Sequence, residues 1–507
     1  MLLHPAFAVG LWICIWYTAP VHPRNEGEKT MKKFLAVLLV LIMVLSICGC
    51  TTDSGKKETI SVGYARLDIT PTMSVPLAGY GNSSQRMSKS VDSKLYATCL
   101  ALSDGNGQPV LLYALDLQQP YDEVMAFRRS ISSETGVPQN RIMITASHTH
   151  SGPDIANDTS TPIAQYTVQL GKSMIQVAKD AIADMKPATL RIGSTDTENM
   201  NFVKHYSYVD SNGKTQYFGD NFGTRVVNST TKHTTEVDTT MHLVEFVREG
   251  GKNIVLSNWR AHPHFISFVN SNTKYAISSD YIGTFRDTIE STYNCNFIYF
   301  QGAAGNVNAT SKIPDEARTT DCGTFGRLLS EYAVNCLNGS MKEVDAGPIQ
   351  ITQTKLACDV DHSTDNLLLT AQTVQKIWKE TNSSSQAIAA DPTGTIRSPY
   401  HANGIISRAY AGASISLELN AISIGNSIAL VTAPNELFDT NSAWLETQSP
   451  YEMTLTLGYA NGHGGYIPSA LGYEYTCYES DVSKFVAGTG EKIQETFLAM
   501  LNTLAGK

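Results

Sequence analysis

Five short apolar runs are spaced along the chain: Val110-Leu111-Leu112-Tyr113-Ala114-Leu115-Asp116, Arg141-Ile142-Met143-Ile144-Thr145, Asn253-Ile254-Val255-Leu256-Ser257, Phe297-Ile298-Tyr299-Phe300 and Ser427-Ile428-Ala429-Leu430-Val431. Unbroken hydrophobicity over so few residues predicts strands buried on both faces, since neither side is left to water. Between them, apolar residues recur three and four apart over about 121–135, 162–185, 281–293, 322–337, 365–381, 436–447 and 482–503, which predicts helices with one buried stripe. The alternation reads as an α/β fold. The strands are unevenly separated and 196–240 is long, polar and turn-rich, so a regular doubly wound sheet or barrel is not expected. Large mixed β-sheets flanked by helices are. The stretch from Ser383-Ser384-Ser385 to Pro399, with Pro392 and Gly394, reads as a surface insertion in a single domain.

Residues 31–50 break this pattern. Met31 is followed by Lys32 and Lys33, an apolar run from Phe34 to Leu45, and then Ile47-Cys48-Gly49-Cys50, which together predict a secretion signal. The last four residues are similar to the lipobox of bacterial lipoproteins, in which the cysteine thiol is acylated and the chain is cut before it. Cys50 would then carry a lipid anchor. The apolar run is short for a membrane span and leads into the polar tether Thr51-Thr52-Asp53-Ser54-Gly55-Lys56-Lys57-Glu58, which leaves a retained transmembrane helix as the alternative. The expected organisation is an upstream extension plus lipoprotein signal peptide over 1–50, a tether over 51–60 and a catalytic domain over 61–507. The expected location is outside the cytoplasm, anchored to a bacterial cell membrane, or secreted where the anchor is not used.

Composition narrows the partners. A chain of 507 residues with 42% apolar and 17% charged positions can bury a large core, which excludes a disordered protein. Its 38 basic and 47 acidic residues give a net charge of −9, with no basic block and no interleaved aromatic and arginine pattern, so nucleic acid is excluded as a partner. Cys99, Cys295, Cys322, Cys336, Cys358 and Cys477 are scattered without CxxC spacing, which argues against a cysteine-ligated zinc and leaves room for one or two disulfides. No oligomeric state follows from these features.

Five segments that read as loops, most of them at strand ends, carry the chemistry. Ser147-His148-Thr149-His150-Ser151-Gly152-Pro153-Asp154 puts two histidines two apart, which on an extended segment point the same way. Ala261-His262-Pro263-His264 follows the strand at 253–258, with Ser279-Asp280-Tyr281 shortly after. Phe300-Gln301-Gly302-Ala303-Ala304-Gly305-Asn306-Val307-Asn308 is a strand entering a small-residue loop whose backbone could approach a substrate. In Val431-Thr432-Ala433-Pro434-Asn435-Glu436 a proline ends a strand and a carboxylate opens the next helix. Gly458-Tyr459-Ala460-Asn461-Gly462-His463-Gly464-Gly465-Tyr466-Ile467-Pro468 is too glycine-rich for regular structure. His264, His463 and His401 read as loop or supporting groups, and Asp116 as either structural or an orienting carboxylate.

Taken in order, HTHSGPD, AHP, the Pro-x-Glu loop and the late aromatic loop, with Val62-Gly63-Tyr64-Ala65-Arg66-Leu67-Asp68-Ile69-Thr70-Pro71 and Leu77-Ala78-Gly79-Tyr80-Gly81 before them, resemble the neutral, non-lysosomal ceramidase family. Those enzymes are zinc-dependent amidases that release a fatty acid from an N-acyl sphingoid base. The resemblance implies one zinc held by His148, His262, Glu436 and Tyr466, with His150 and Tyr478 acting on the substrate. Zinc would bring bound water toward a pKa of ~7 and polarise the amide carbonyl, while His150 and Tyr478 stabilise the oxyanion or pass a proton to the leaving amine.

Two departures from the family bear on substrate and mechanism. Its glycine-rich loop carries an acidic residue and then a serine, whereas this chain has Asn306 and Asn308 there, which favours a mechanism using water alone, with Asn308 beside the metal. A family arginine that binds substrate has no match near Asn199-Met200-Asn201-Phe202-Val203-Lys204 beyond Lys204. After Tyr478 only a helix is predicted, where family members continue into a β-sandwich. The expected function is therefore hydrolysis of the N-acyl bond of ceramide or a related N-acyl lipid. The alternatives are a zinc hydrolase of the same fold acting on a non-lipid amide or ester, and a solute-binding lipoprotein without turnover. A serine hydrolase using Ser151 is disfavoured, because neighbouring strand side chains diverge and no G-x-S-x-G elbow is present.

Overall fold

The computed structural model describes residues 60–80, 83, 86–155, 161–221, 223, 225–269, 273–309 and 321–507. The signal segment, Cys50, the tether through Glu58 and Gly81 lie outside the described residues. The nine strands of the larger sheet are Ile60–Asp68 (β1), Tyr96–Ser103 (β2), Val110–Leu115 (β3), Ile142–Ala146 (β4), Lys186–Asp196 (β5), Thr240–Arg248 (β6), Ile254–Trp259 (β7), Asn296–Gln301 (β8) and Lys342–Val344 (β9). Their order is β8-β7-β6-β5-β1-β2-β3-β4, with β9 also pairing β5. Only β3–β4 and β7–β8 run parallel, so the sheet is mixed. It curls far enough for the edge strand β8 to touch β3 and β4 at the other edge.

A second sheet has the order β10-β11-β12-β13, formed by Ile349–Asp359 (β10), Ser414–Ile424 (β11), Ile428–Thr432 (β12) and Met453–Leu457 (β13). The helices include Phe127–Thr135 (α1), Thr161–Ala183 (α2), Tyr281–Tyr293 (α3), Cys322–Gly339 (α4), Leu368–Thr381 (α5), Pro399–Ala409 (α6), Asp439–Gln448 (α7) and Thr489–Leu504 (α8).

Side-chain alternation explains the layers. In β3, Leu111, Tyr113 and Leu115 face a core shared with Leu170, Met174 and Val177 of α2, while Val110 and Leu112 face Ile422, Leu430 and Leu455 of the second sheet. β7 and β8 turn Val255 and Phe297 toward Phe285 of α3 and Phe325 of α4. The outer face of the second sheet buries Leu419, Ala429 and Val431 against Ile493 and Phe497 of α8. The result is four layers, helix, sheet, sheet, helix, with apolar side chains packed between successive layers, as the unbroken apolar runs require.

The predicted strands and helices are present, with three differences. Glu436 does not open a helix: Glu436–Leu437 pair in parallel with Tyr466–Ile467, Glu436 N donates to Gly465 O (3.0 Å), and α7 begins at Asp439. A backbone already paired to a neighbouring strand cannot also start a helical ladder. The last helix is split into Tyr478–Val482 and α8, with Gly488 at φ +89 before the second piece. The 196–240 stretch forms short strands, Asn201–Val203, His205–Val209, Thr215–Gly219 and Lys232–His233. The six cysteines after Cys50 are unpaired thiols. Among the described residues, no helix is long and apolar enough to cross a membrane.

Candidate functional site

Each site segment leaves a strand within a few residues of its end. After β4, Ser147 N donates to Leu115 O (2.8 Å) and His148 N to Leu117 O (2.9 Å), stitching the turn to the end of β3. His148 sits at φ +67, so the HTH segment is not extended as expected; the left-handed residue bends the chain, and His150 N donates to Pro263 O (3.2 Å). The two imidazoles converge because of that bend, with their Nε2 atoms 3.1 Å apart. His262 follows β7, its main chain bonded to Val307 O (3.0 Å) in the small-residue loop. Glu436 follows β12, and the register of its two-residue strand sets it opposite Tyr466.

The hydrogen bonds fix which atoms face inward. His148 Nδ1 lies 2.9 Å from Gln118 O and His262 Nδ1 lies 3.1 Å from Val307 O. A carbonyl only accepts, so each Nδ1 carries the hydrogen and each Nε2 turns a lone pair to the centre. Glu436 Oε1 accepts from Gln119 Nε2 (3.1 Å), whereas Oε2 stands 3.4 Å from His148 Nε2 and 3.5 Å from His262 Nε2 and accepts no hydrogen bond. His262 Nε2 is likewise unbonded, and all of these groups are buried. Four donors of one tetrahedral zinc, each ~2.0–2.1 Å from it, stand about 3.3 Å apart. The separations of 3.4 and 3.5 Å between Glu436 Oε2 and the Nε2 atoms of His148 and His262 match that figure, so these three residues fit a zinc ion. His148, His150 and His262 form a group able to hold a metal.

Charge in this centre is strongly biased. Burial alone would raise Glu436, but His148 and His262 beside it hold its carboxyl well below the usual range. Burial and the neighbouring imidazoles push His150 well below the ordinary histidine value, His262 is lowered for the same first reason, and His264 falls to about 3. Imidazoles lowered by burial at His150 and His262, beside the Glu436 carboxylate, are a set suited to a divalent cation. Burial, then Glu436 and Tyr478, raises the Tyr466 phenol, so without a cation it keeps its proton.

A cavity of about 540 Å³ opens onto the cluster and is lined by His150, His262, His264, Asn308, Tyr466 and Tyr478 among others. Tyr478 lies with its ring 5.8 Å from that of Tyr466. Asn308 Nδ2 donates to Asn221 O (3.0 Å), and its carboxamide lies against His264. Lys204 also lines the cavity, its Nζ 2.6 Å from Glu479 Oε1 and 5.8 Å from the Tyr466 ring centre. His463 packs on Tyr121 and His401 sits in the first turn of α6, and neither is in the group of converging donors. Asp116 is structural: it accepts from Arg286 Nη1 and Tyr96 N, both at 3.0 Å. Ser151 Oγ is buried and makes no hydrogen bond to either histidine.

Two residues given no role in the sequence reading complete the centre. Gln119 lies just past β3, a strand end that could have drawn attention to it, and orients Glu436. Tyr459 stacks its ring on His148 at 4.0 Å, accepts from Ala146 N and donates to Asn435 O (both 3.2 Å), joining the ends of two sheets. The small-residue loop serves differently from the expectation. A Cβ on Gly305 would lie 2.6 Å from Glu436 O, and Gly305 N donates to Leu437 O (2.8 Å), so its smallness admits the Glu436 backbone rather than a substrate.

A sequence profile of neutral/alkaline non-lysosomal ceramidase, N-terminal, matches residues 60–388. No curated protein matches the chain. Among solved structures, the neutral ceramidase from Pseudomonas aeruginosa is similar, with TM-score 0.66 and 15% identity over 89% of this chain and 75% of that one. A ceramidase complexed with C2 is similar with TM-score 0.64 and 15% identity, over 88% and 75%.

Proposed function

The chain belongs to the neutral/alkaline non-lysosomal ceramidase family, and from that premise we propose that it is a zinc-dependent amide hydrolase cleaving the N-acyl bond of ceramide or a related N-acyl lipid. Membership makes it a ceramidase-like hydrolase; zinc, the lipid substrate and the residue roles are the proposal. The observation that carries it is the buried, unbonded pair of Glu436 Oε2 and His262 Nε2, with the Nε2 atoms of His148 and His150 alongside. A buried carboxylate oxygen without a hydrogen-bond donor is costly unless a cation meets it.

In this reading His148, His262, Glu436 and Tyr466 hold the metal. Bound zinc would supply Lewis-acid polarisation of the amide carbonyl and a lowered pKa for water. His150, kept neutral by burial and lining the cavity, can take a proton and deliver it to the leaving amine nitrogen. The Tyr478 hydroxyl donates a hydrogen bond to the carbonyl oxygen as charge develops there. Asn308 holds the substrate carbonyl or water from the Asn221 side without forming a covalent bond. The anchor at Cys50 would keep the enzyme on a membrane surface where N-acyl lipids reside.

Metal analysis of the purified protein followed by turnover of a panel of N-acyl lipids, short N-acyl amines and esters tests the proposal. About one zinc per chain and release of free fatty acid from the N-acyl lipids are expected. Protein that binds no zinc and hydrolyses none of the panel would overturn it.

A further inference from the structure

The stretch marked by the sequence as a surface insertion belongs to a helical module spanning 361–412, inserted between the antiparallel neighbours β10 and β11. It has a core of its own, built on Leu367, Ala371, Val374, Ala387, Ala402 and Ile405. One side of it reaches the cavity. Gly404 lets α6 approach the helix Tyr478–Val482 so closely that a Cβ there would overlap the Asp481 carbonyl oxygen. Arg408 Nη1 donates to Asp481 O (3.0 Å) and Ser483 O (2.8 Å), satisfying carbonyls at the end of that helix, and Arg397 pairs with the Asp481 carboxylate.

These contacts carry a ladder of rings. Trp378 meets Tyr400 at 5.2 Å, Tyr400 meets Tyr478 at 5.7 Å and Tyr478 meets Tyr466 at 5.8 Å, each near edge-to-face. The ladder runs from the insertion to the metal centre. Its two middle rings stay 41% (Tyr400) and 47% (Tyr478) exposed, and both line the cavity. Rings braced from behind and open in front present a fixed apolar wall, which suits a hydrocarbon chain better than a solvated polar group.

We propose that the helical insertion is the specificity element of the site and that Tyr400 is its specificity-determining residue, packing a hydrocarbon chain of the substrate against the rings of Tyr400 and Tyr478. This rests on the reading of the protein as an N-acyl amide hydrolase. The chain could come from the acyl or the amine half, and varying each in turn distinguishes them.

The test compares zinc-loaded wild type, Tyr400→Ala and Tyr400→Phe on two series: the acetyl, octanoyl and palmitoyl amides of ethylamine, and the acetyl amides of octylamine and hexadecylamine. In one series Tyr400→Ala is expected to lose roughly tenfold in kcat/KM on the longest member, through KM, with a change under about twofold on acetyl ethylamide. Tyr400→Phe should follow wild type. Equal loss at every length, or no loss at all, overturns the assignment of Tyr400. If wild type hydrolyses none of these amides, the proposed activity falls instead. The hydrocarbon site is then read by calorimetric binding of palmitate, which Tyr400→Ala should weaken roughly tenfold and whose unchanged affinity overturns it.

Discussion

At the scale of single residues, the centre is organised by hydrogen bonds that leave chosen atoms unbonded. Carbonyls hold the Nδ1 atoms of His148 and His262, and Gln119 holds one oxygen of Glu436, so the remaining lone pairs converge. Removing one ligand from such a set weakens metal binding sharply because the other donors remain but the site is left open. Purified residues 51–507 are expected to carry about one zinc per chain, and His148→Ala, His262→Ala and Glu436→Ala should each lose it, as read by metal analysis. Tyr466→Phe should lose less, since the ring keeps its packing. Full metal content after loss of both histidines would move the site elsewhere. Asn308 gives a separate test. Its carboxamide is held by Asn221 O on one side and meets His264 on the other, an arrangement that presents a fixed dipole to the cavity. Asn308→Ala should slow turnover by roughly 10²–10³, the loss expected for one oriented polar group, while Asn308→Ser keeps most activity. Thermal melts on the same samples check that the folded state is intact; a stable Asn308→Ala protein with unchanged turnover would remove this residue from the chemistry.

Elements are held in register by close backbone approaches and by one strained carboxylate. Gly305 admits the Glu436 main chain, and any side chain there must push the two-residue strand at Glu436 away. Gly305→Val should destabilise the fold by about 1–3 kcal/mol, the range for overpacking, and reduce zinc content along with it. Normal stability and zinc content would show that the loop yields. Asp280, at φ +57, accepts from Tyr281 N (2.8 Å) at the start of α3 and from Ile266 N (2.9 Å) in the turn after His264. Burial raises its carboxyl to about 7 despite those donors. The unfolded carboxyl ionises near ~3.9, so between about 4 and 7 the folded state binds more protons and stability falls as pH rises. Above 7 this contribution is constant. Asp280→Asn has no such slope, and the difference in unfolding free energy between variant and wild type should grow from pH ~4 to ~7. A constant difference over that range would contradict the assignment.

For the whole molecule, the two sheets and their helices bring together loops that are hundreds of residues apart in sequence. With Cys50 as acylation site, Cys50→Ser in a bacterium that processes lipoproteins should either release the protein into the medium or leave an uncleaved precursor. Membrane fractionation with mass determination reads the outcome, and unchanged cleavage with membrane retention would remove the lipid anchor. Sequence alone determined the strands at 110–116, 141–145, 253–257, 297–300 and 427–431 and most helices, because hydrophobic periodicity is a local property that burial imposes on each element separately. It also marked the loops bearing His148, His262, Glu436 and Tyr466, since short motifs with glycine and proline punctuation survive without any knowledge of packing. The tertiary structure alone decided the bend at His148, the strand at Glu436, the roles of Gln119, Tyr459 and Gly305, and the arrival of the 361–412 module at the cavity. Those depend on which distant carbonyl, ring or backbone occupies the neighbouring space, and that information resides in the pairing of segments rather than in any one of them.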